Sequence, residues 1–177
     1  MDYITLINYI KNNYSFEWLT NNQKNAYNKL KEYLIYDDVI NLYGKRGVGK
    51  TFLGWVFAKN NNFIYFENEE TFRNYRTKTK INAIIDNSTL KDGRDVRRMV
   101  SLKTHKVIYI SKKKILDYGV ELKLDLNDVE YVLNNLSPII GKNININIQN
   151  LKIDNFDLWK IFKGRVYGYQ CIGIHNK

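Results

Sequence analysis

Residues Gly44-Lys45-Arg46-Gly47-Val48-Gly49-Lys50-Thr51 match the spacing G-x-x-x-x-G-K-[ST] at every fixed position. Glycines in such a run let the backbone curl until several N–H groups converge on one phosphate chain. A helix beginning at the end of the loop adds the positive end of its dipole. Lys50 is spaced to reach the β- and γ-phosphates, and the Thr51 hydroxyl to bind Mg²⁺. The expected ligands are ATP, or GTP in its place, and Mg²⁺.

Such a site needs an acid at a neighbouring strand end to hold the metal, and a base to orient the attacking water. Asp86 closes the apolar run Ile81-Asn82-Ala83-Ile84-Ile85 and is the metal acid expected beside Thr51. Position 87 is asparagine, which hydrogen-bonds water but takes no proton at neutral pH. Glu67, at the end of an earlier strand and followed closely by Glu69 and Glu70, is the candidate base. Ser111 ends another strand and is a candidate γ-phosphate sensor. Two basic groups follow as candidate nucleic-acid contacts: Arg94, Arg97 and Arg98 on one segment, and Lys112, Lys113 and Lys114 beyond Ser111. Either group also reads as a solvated, solubilising face. His105 and His175 are too isolated for a metal site.

The elements that must hold these residues alternate. Val39–Tyr43 reads as a strand entering the loop, and Phe52–Ala58 as a helix leaving it. Strands are predicted at 63–66, 81–86, 107–110 and 119–124, with a turn and helix over 88–102 and a polar stretch from Glu67 to Lys80. Asn127 or Asp128 is the expected cap of a helix over 129–135, which Pro138 should end. The first 37 residues read as helical; Thr20 and Gln23 have capping-box spacing, and Ala26, Tyr27, Leu30, Tyr33 and Leu34 form one apolar stripe. This order predicts an α/β fold, a mostly parallel central sheet with helices on both faces. Ligands in such sheets sit beyond the carboxyl ends of the strands, where residues 44–51 fall. The expected division is a helical segment over 1–37, a core over 38–137 and an extension over 138–177. In that tail Ile144–Ile148 alternates as an edge or antiparallel strand would, residues 156–162 suit a short helix, and 166–174 a last strand.

Composition narrows the class. The chain has 177 residues and 44% hydrophobic content, enough for one core. No run approaches the roughly 18 apolar residues of a membrane helix. One cysteine, Cys171, makes no internal disulfide, so a reducing, cytoplasmic setting is expected. The formal charge of +10, with 14 tyrosines and three tryptophans, makes nucleic acid a plausible partner through phosphate attraction and base stacking.

Three segments together resemble the additional-strand class of P-loop ATPases, and within it the AAA+ group of replication initiators and helicase loaders. They are NLYGKRGVGKTFLGWVFA as Walker A, NAIIDN as Walker B and KVIYIS as the sensor 1 strand, with GVELKLDLNDVEYVLNN after them as the fifth strand and helix entry. The likeness covers roughly residues 20 to 137. It implies a three-layer P-loop fold in which Lys50 and Thr51 belong to Walker A, Asp86 holds the metal with Thr51, and Ser111 takes the sensor position; Glu67, read from its strand end alone, completes the candidate catalytic set. Departures accompany it: Asn87 stands where the catalytic glutamate is common, no arginine lies between Ser111 and the fifth strand, and the patterning after 137 does not suit a helical lid. Arg165, the one arginine there, could substitute for the lid's arginine in space, though nothing in its spacing shows it. The first expectation is a slow or partner-stimulated ATPase working with nucleic acid in replication, packaging, mobile-element biology or defence. The others are a nucleotide-binding assembly module with little hydrolysis, joining a protein partner or further copies of itself, and a small-molecule kinase.

Overall fold

The computed structural model describes residues 3–140. Its elements in chain order are α1 (Tyr3–Asn13), a 3-10 turn (Phe16–Trp18), α2 (Asn21–Tyr36), β1 (Val39–Tyr43), α3 (Lys50–Asn61), β2 (Ile64–Phe66), α4 (Glu69–Asn74), β3 (Ile81–Ile85), α5 (Gly93–Val100), β4 (Thr104–Ser111), β5 (Gly119–Glu121) and α6 (Leu126–Ile140). Residues 22–123 form one compact unit, and among the described residues a second takes in 3–21 and 124–140. The tail features expected at 141–174 lie outside the described residues.

The five strands make one sheet in the order β2-β3-β4-β1-β5, and every pairing is parallel. Parallel sheets are covered on both faces, and here the alternation shows it. Ala83 and Ile85 of β3 join Val107 and Tyr109 of β4 and Val96 and Val100 of α5 in one core. The intervening Ile84, with Ile110 of β4, faces Gly54 of α3 on the other side. Tyr27 of α2 packs its ring on Phe57 of α3, centroids 4.9 Å apart, so the apolar stripe of α2 covers the same layer. The result is the three-layer α/β fold of P-loop nucleotide-binding proteins.

Several boundaries move from the sequence expectation. β4 starts at Thr104, earlier than 107, while β5 stops at Glu121 and not 124. The polar stretch 67–80 contains α4, which local capping starts: Asn68 accepts from the Thr71 amide at 2.8 Å and the Thr71 hydroxyl answers the Asn68 amide at 3.3 Å. In the second unit, the cap of α6 is Asp125. Its carboxylate accepts from the Asp128 amide at 2.8 Å, while Asp128 accepts from the Asp125 amide at 3.2 Å, a reciprocal box one turn earlier than expected. Pro138 does not end that helix, which continues to Ile140. Proline disturbs the helix N-terminal to itself, and two further residues can keep helical backbone beyond it. The Tyr131 hydroxyl of α6 donates to the Glu17 carbonyl of the 3-10 turn.

Candidate nucleotide site

The parallel sheet turns the carboxyl ends of β1, β3 and β4 toward one end, and the chemistry-bearing residues follow those ends directly. Gly44 follows β1, Asp86 follows β3 and Lys112 follows β4, with Tyr43 and Ser111 paired in register. The loop at 44–49 is built from backbone that favours glycine: φ is 149° at Gly44 and 88° at both Gly47 and Gly49. At Gly44 a Cβ would also run into the Leu122 carbonyl oxygen, so the turn out of β1 has no room for a side chain. Gln23, the buried residue expected to cap α2, donates its amide to the Gly49 carbonyl at 3.2 Å and props the loop from outside.

Lys50 opens α3 and folds back across the loop. Its ammonium donates to the Gly44 and Lys45 carbonyls, both at 2.7 Å. Burial pushes this ammonium down to about 8, with the Asp86 carboxylate opposing that shift and the Lys112 charge adding to it. An ammonium that gives up its proton this readily is one that gains from an added anion. Lys112 therefore lies within electrostatic reach of Lys50, and it is exposed together with Lys113 and Lys114.

Thr51 and Asp86 come together across the gap between helix and sheet. The threonine hydroxyl donates to Asp86 Oδ2 at 2.6 Å. A second donor sits on the same oxygen: the Tyr65 hydroxyl of β2, also at 2.6 Å. The Asn87 amide completes the set on Oδ1 at 2.7 Å. Asp86 is 4% exposed, so its carboxylate is held by three donors in a nearly closed setting. One hydroxyl and one carboxylate are hard oxygen donors of the kind Mg²⁺ takes when substrate phosphates and water fill its other positions. Among the described residues no group of three or more His, Cys, Asp or Glu could hold a metal by itself.

The remaining sequence candidates have distinct places. Asn87, in left-handed backbone with φ of 44°, donates its side-chain amide to the Glu67 carbonyl at 2.9 Å and so ties the ends of β2 and β3. Glu67 is exposed at the carboxyl end of β2, on the same rim as Asp86. Glu69 is committed elsewhere: it accepts from the Thr89 amide at 2.6 Å, the Thr89 hydroxyl at 2.9 Å, the Leu90 amide at 3.0 Å and the Tyr109 hydroxyl. Burial raises its carboxyl, and these bonds together outweigh that and hold it below the ordinary range. Ser111 donates to the Lys113 carbonyl at 2.6 Å and accepts from the Asn41 amide at 2.9 Å.

The three arginines of α5 do not behave alike. Arg97 clamps Asp37 with two bonds, 2.9 and 2.5 Å, and ties α5 to the turn before β1. Arg94 pairs with Asp92 at 3.1 Å, and Arg98 is exposed. The structure also supplies residues that motif reading did not. Tyr65 has no sequence signature and reaches Asp86 only through strand pairing. Asn41, fully buried in β1, donates to the Tyr109 carbonyl at 2.7 Å and accepts from the Ile115 amide at 2.9 Å, fixing the turn after β4. A polar residue inside an apolar strand was its only trace in the sequence.

The fold is a three-layer α/β arrangement that places the 44–51 loop at the carboxyl end of β1. A similar solved structure is a crystal structure of a DNA replication initiation factor, with a TM-score of 0.52 and 16% sequence identity. The alignment covers 84% of this chain and 60% of that one, so the chain spans well under the full length of its neighbour. At this identity the likeness is one of fold. No protein-family model matches the chain, and no curated protein does.

Proposed function

We propose that this chain is an ATP-binding P-loop protein of the additional-strand, AAA+-like type, a slow or partner-stimulated ATPase that works with nucleic acid in a replication-linked process in the cytoplasm. The observation that carries the reading is the 2.6 Å bond between Thr51 and Asp86 beside a loop already threaded by Lys50. The strand order supports the class, because β4 lies between the loop strand β1 and the acid strand β3. The neighbour's description as a replication initiation factor supports the setting.

In this reading the loop amides and Lys50 hold the phosphates, and Thr51 and Asp86 hold the metal. When bound there, Mg²⁺ would supply charge neutralisation for the phosphates. Lys112 adds a second cation on the rim where an arginine is missing. Glu67 orients water from the β2 end, and Ser111 keeps the turn carrying Lys112 in place. Slow turnover follows from what surrounds Asp86: Asn87 is spent on the Glu67 carbonyl and Glu69 on the 89–90 loop. The same two facts favour the second reading, a nucleotide-dependent assembly module with little hydrolysis. Calorimetry with ATP and GTP in Mg²⁺, on wild type and Lys50→Ala, tests the binding; wild type should bind and the variant should not. Phosphate release with and without a DNA oligonucleotide, in wild type and Glu67→Gln, separates ATPase from module. Well-folded protein that takes up neither nucleotide would end both readings.

A further inference from the structure

The end of the sheet opposite the phosphate loop carries a basic platform that the sequence candidates did not include. Between Glu70 and Asp86 the chain has no acidic residue, and Arg73, Arg76, Lys78 and Lys80 fall in that stretch. All four are exposed, and none makes an ion pair with a described residue. They occupy the end of α4 and the connection that enters the amino end of β3.

That connection is laced to its neighbour. Lys103, in the turn before β4, donates its ammonium to the Arg73 carbonyl at 2.6 Å and the Tyr75 carbonyl at 3.1 Å. The Ile81 amide returns a bond to the Lys103 carbonyl at 3.0 Å. Within the connection the Thr79 amide donates to the Thr77 hydroxyl at 3.2 Å, fixing a local turn between the cations. Tyr75 packs edge-on against Phe66, centroids 5.3 Å apart, and is still 37% exposed. Five positive side chains are thus held on ordered backbone around a half-anchored aromatic ring. Asp37 and Asp38 precede β1 at the amino ends of the strands, and Asp37 is already paired with Arg97.

We infer that this platform, Arg73, Arg76, Lys78, Lys80 and Lys103 around Tyr75, is the surface that holds a nucleic-acid strand, by its phosphate backbone and with one base against the tyrosine. Charge complementarity selects a polyanion, since unpaired cations release counterions from a phosphate chain. The exposed ring selects nucleic acid among polyanions, because every base has a face to stack. The inference deepens the nucleic-acid part of the proposed function and puts strand and nucleotide at opposite ends of the strands.

The test compares two variants that lose equal charge. One is Arg76→Gln/Lys78→Gln/Lys80→Gln; the other is Arg94→Gln/Lys113→Gln/Lys114→Gln, at positions the sequence pointed to. Affinity for a labelled single-stranded oligonucleotide is read by anisotropy from low to moderate salt, with ATP affinity and thermal unfolding measured on the same samples. The platform variant should lose about tenfold or more in affinity and flatten the logarithmic salt slope by about 2 to 3, the equivalent of three phosphate contacts. Tyr75→Ala should lose several-fold with the slope unchanged. The Arg94/Lys113/Lys114 variant should change less than threefold. Equal loss in both triple variants, loss in the second alone, or binding of anionic lipid vesicles without the oligonucleotide would overturn the inference. If ATP binds and the platform variant keeps full oligonucleotide affinity, the platform alone falls. If the platform binds strand and wild type takes no nucleotide, the platform stands without the nucleotide reading.

Discussion

Tyr65 and Asp86, on the neighbouring strands β2 and β3, are joined by a 2.6 Å hydrogen bond from the phenol to the carboxylate. Register makes the bond: Tyr65 lies opposite Ile84, and Asp86 is two residues further along the same face. The phenol is squeezed between that face and α3, where Trp55 meets its ring edge-on at 6.1 Å. Burial first, then the Asp86 charge, push the hydroxyl far above its ordinary range, so it stays a donor at any working pH.

Removing that hydroxyl should unsettle Asp86, the proposed metal acid, without touching the 44–51 loop. Tyr65→Phe is expected to fold and to bind ATP in chelator as wild type does. Its gain in affinity on adding Mg²⁺ should drop by roughly tenfold, the usual scale for groups that orient a metal ligand. Titrations with Mg²⁺ and with EDTA measure the difference. A full Mg²⁺ gain in the variant would remove Tyr65 from the site.

Gly54 is what lets Tyr65 lie against α3. A Cβ there would stand 3.1 Å from Ile110 Cδ1 and 3.3 Å from Tyr65 Cε2. Alanine is the better helix former by about 1 kcal/mol, yet overpacking of this kind typically costs about 1–3 kcal/mol. Gly54→Ala is therefore expected to lower the unfolding midpoint and to change the fluorescence of the adjacent Trp55. A raised midpoint would show that the layer has slack.

The extent to which sequence alone foretold this arrangement depends on how local each feature is. The loop 44–51, its flanking β1 and α3, and Asp86 at the end of β3 are set by contiguous residues, so spacing and periodicity found them. Tyr65 on Asp86, Asn41 under β4 and Gln23 on Gly49 are joined only by tertiary pairing, across 21, 70 and 26 positions. Nothing in a linear pattern marks such partners. The α5 arginines looked alike for the same reason: Arg97 is distinguished by Asp37, 60 residues away. The basic platform was split between two segments that only β3–β4 pairing sets side by side.

Glu69 should prove structural. Its carboxylate takes four donors, from Thr89, Leu90 and Tyr109, and so pins the connection that follows Asp86. Glu69→Ala leaves the Leu90 amide and the hydroxyl of the buried Tyr109 without that acceptor, a loss of about 1–3 kcal/mol. Faster hydrogen exchange at Thr89 and Leu90 than elsewhere in the sheet is the expected signature. Uniform exchange across β3 and β4, with unchanged stability, would contradict it.

The Asp37–Arg97 clamp should give acid sensitivity. Its guanidinium holds the Asp37 carboxyl below the ordinary range, over the opposing push of burial. In the unfolded chain an aspartate titrates near about 3.9, so as the pH falls the unfolded state takes up this proton first. The clamp's contribution is then fully present above that value and is lost as pH falls through it toward the folded value. Arg97 stays charged throughout and adds no slope. Because the Arg97 side chain is 40% exposed, screening limits the pair to about 1 kcal/mol. Urea unfolding of wild type and Asp37→Asn should differ by that amount at neutral pH, with the gap closing below about pH 4. A gap that persists or widens in acid would mean that packing around residue 37, and not the charge pair, holds α5 to the sheet.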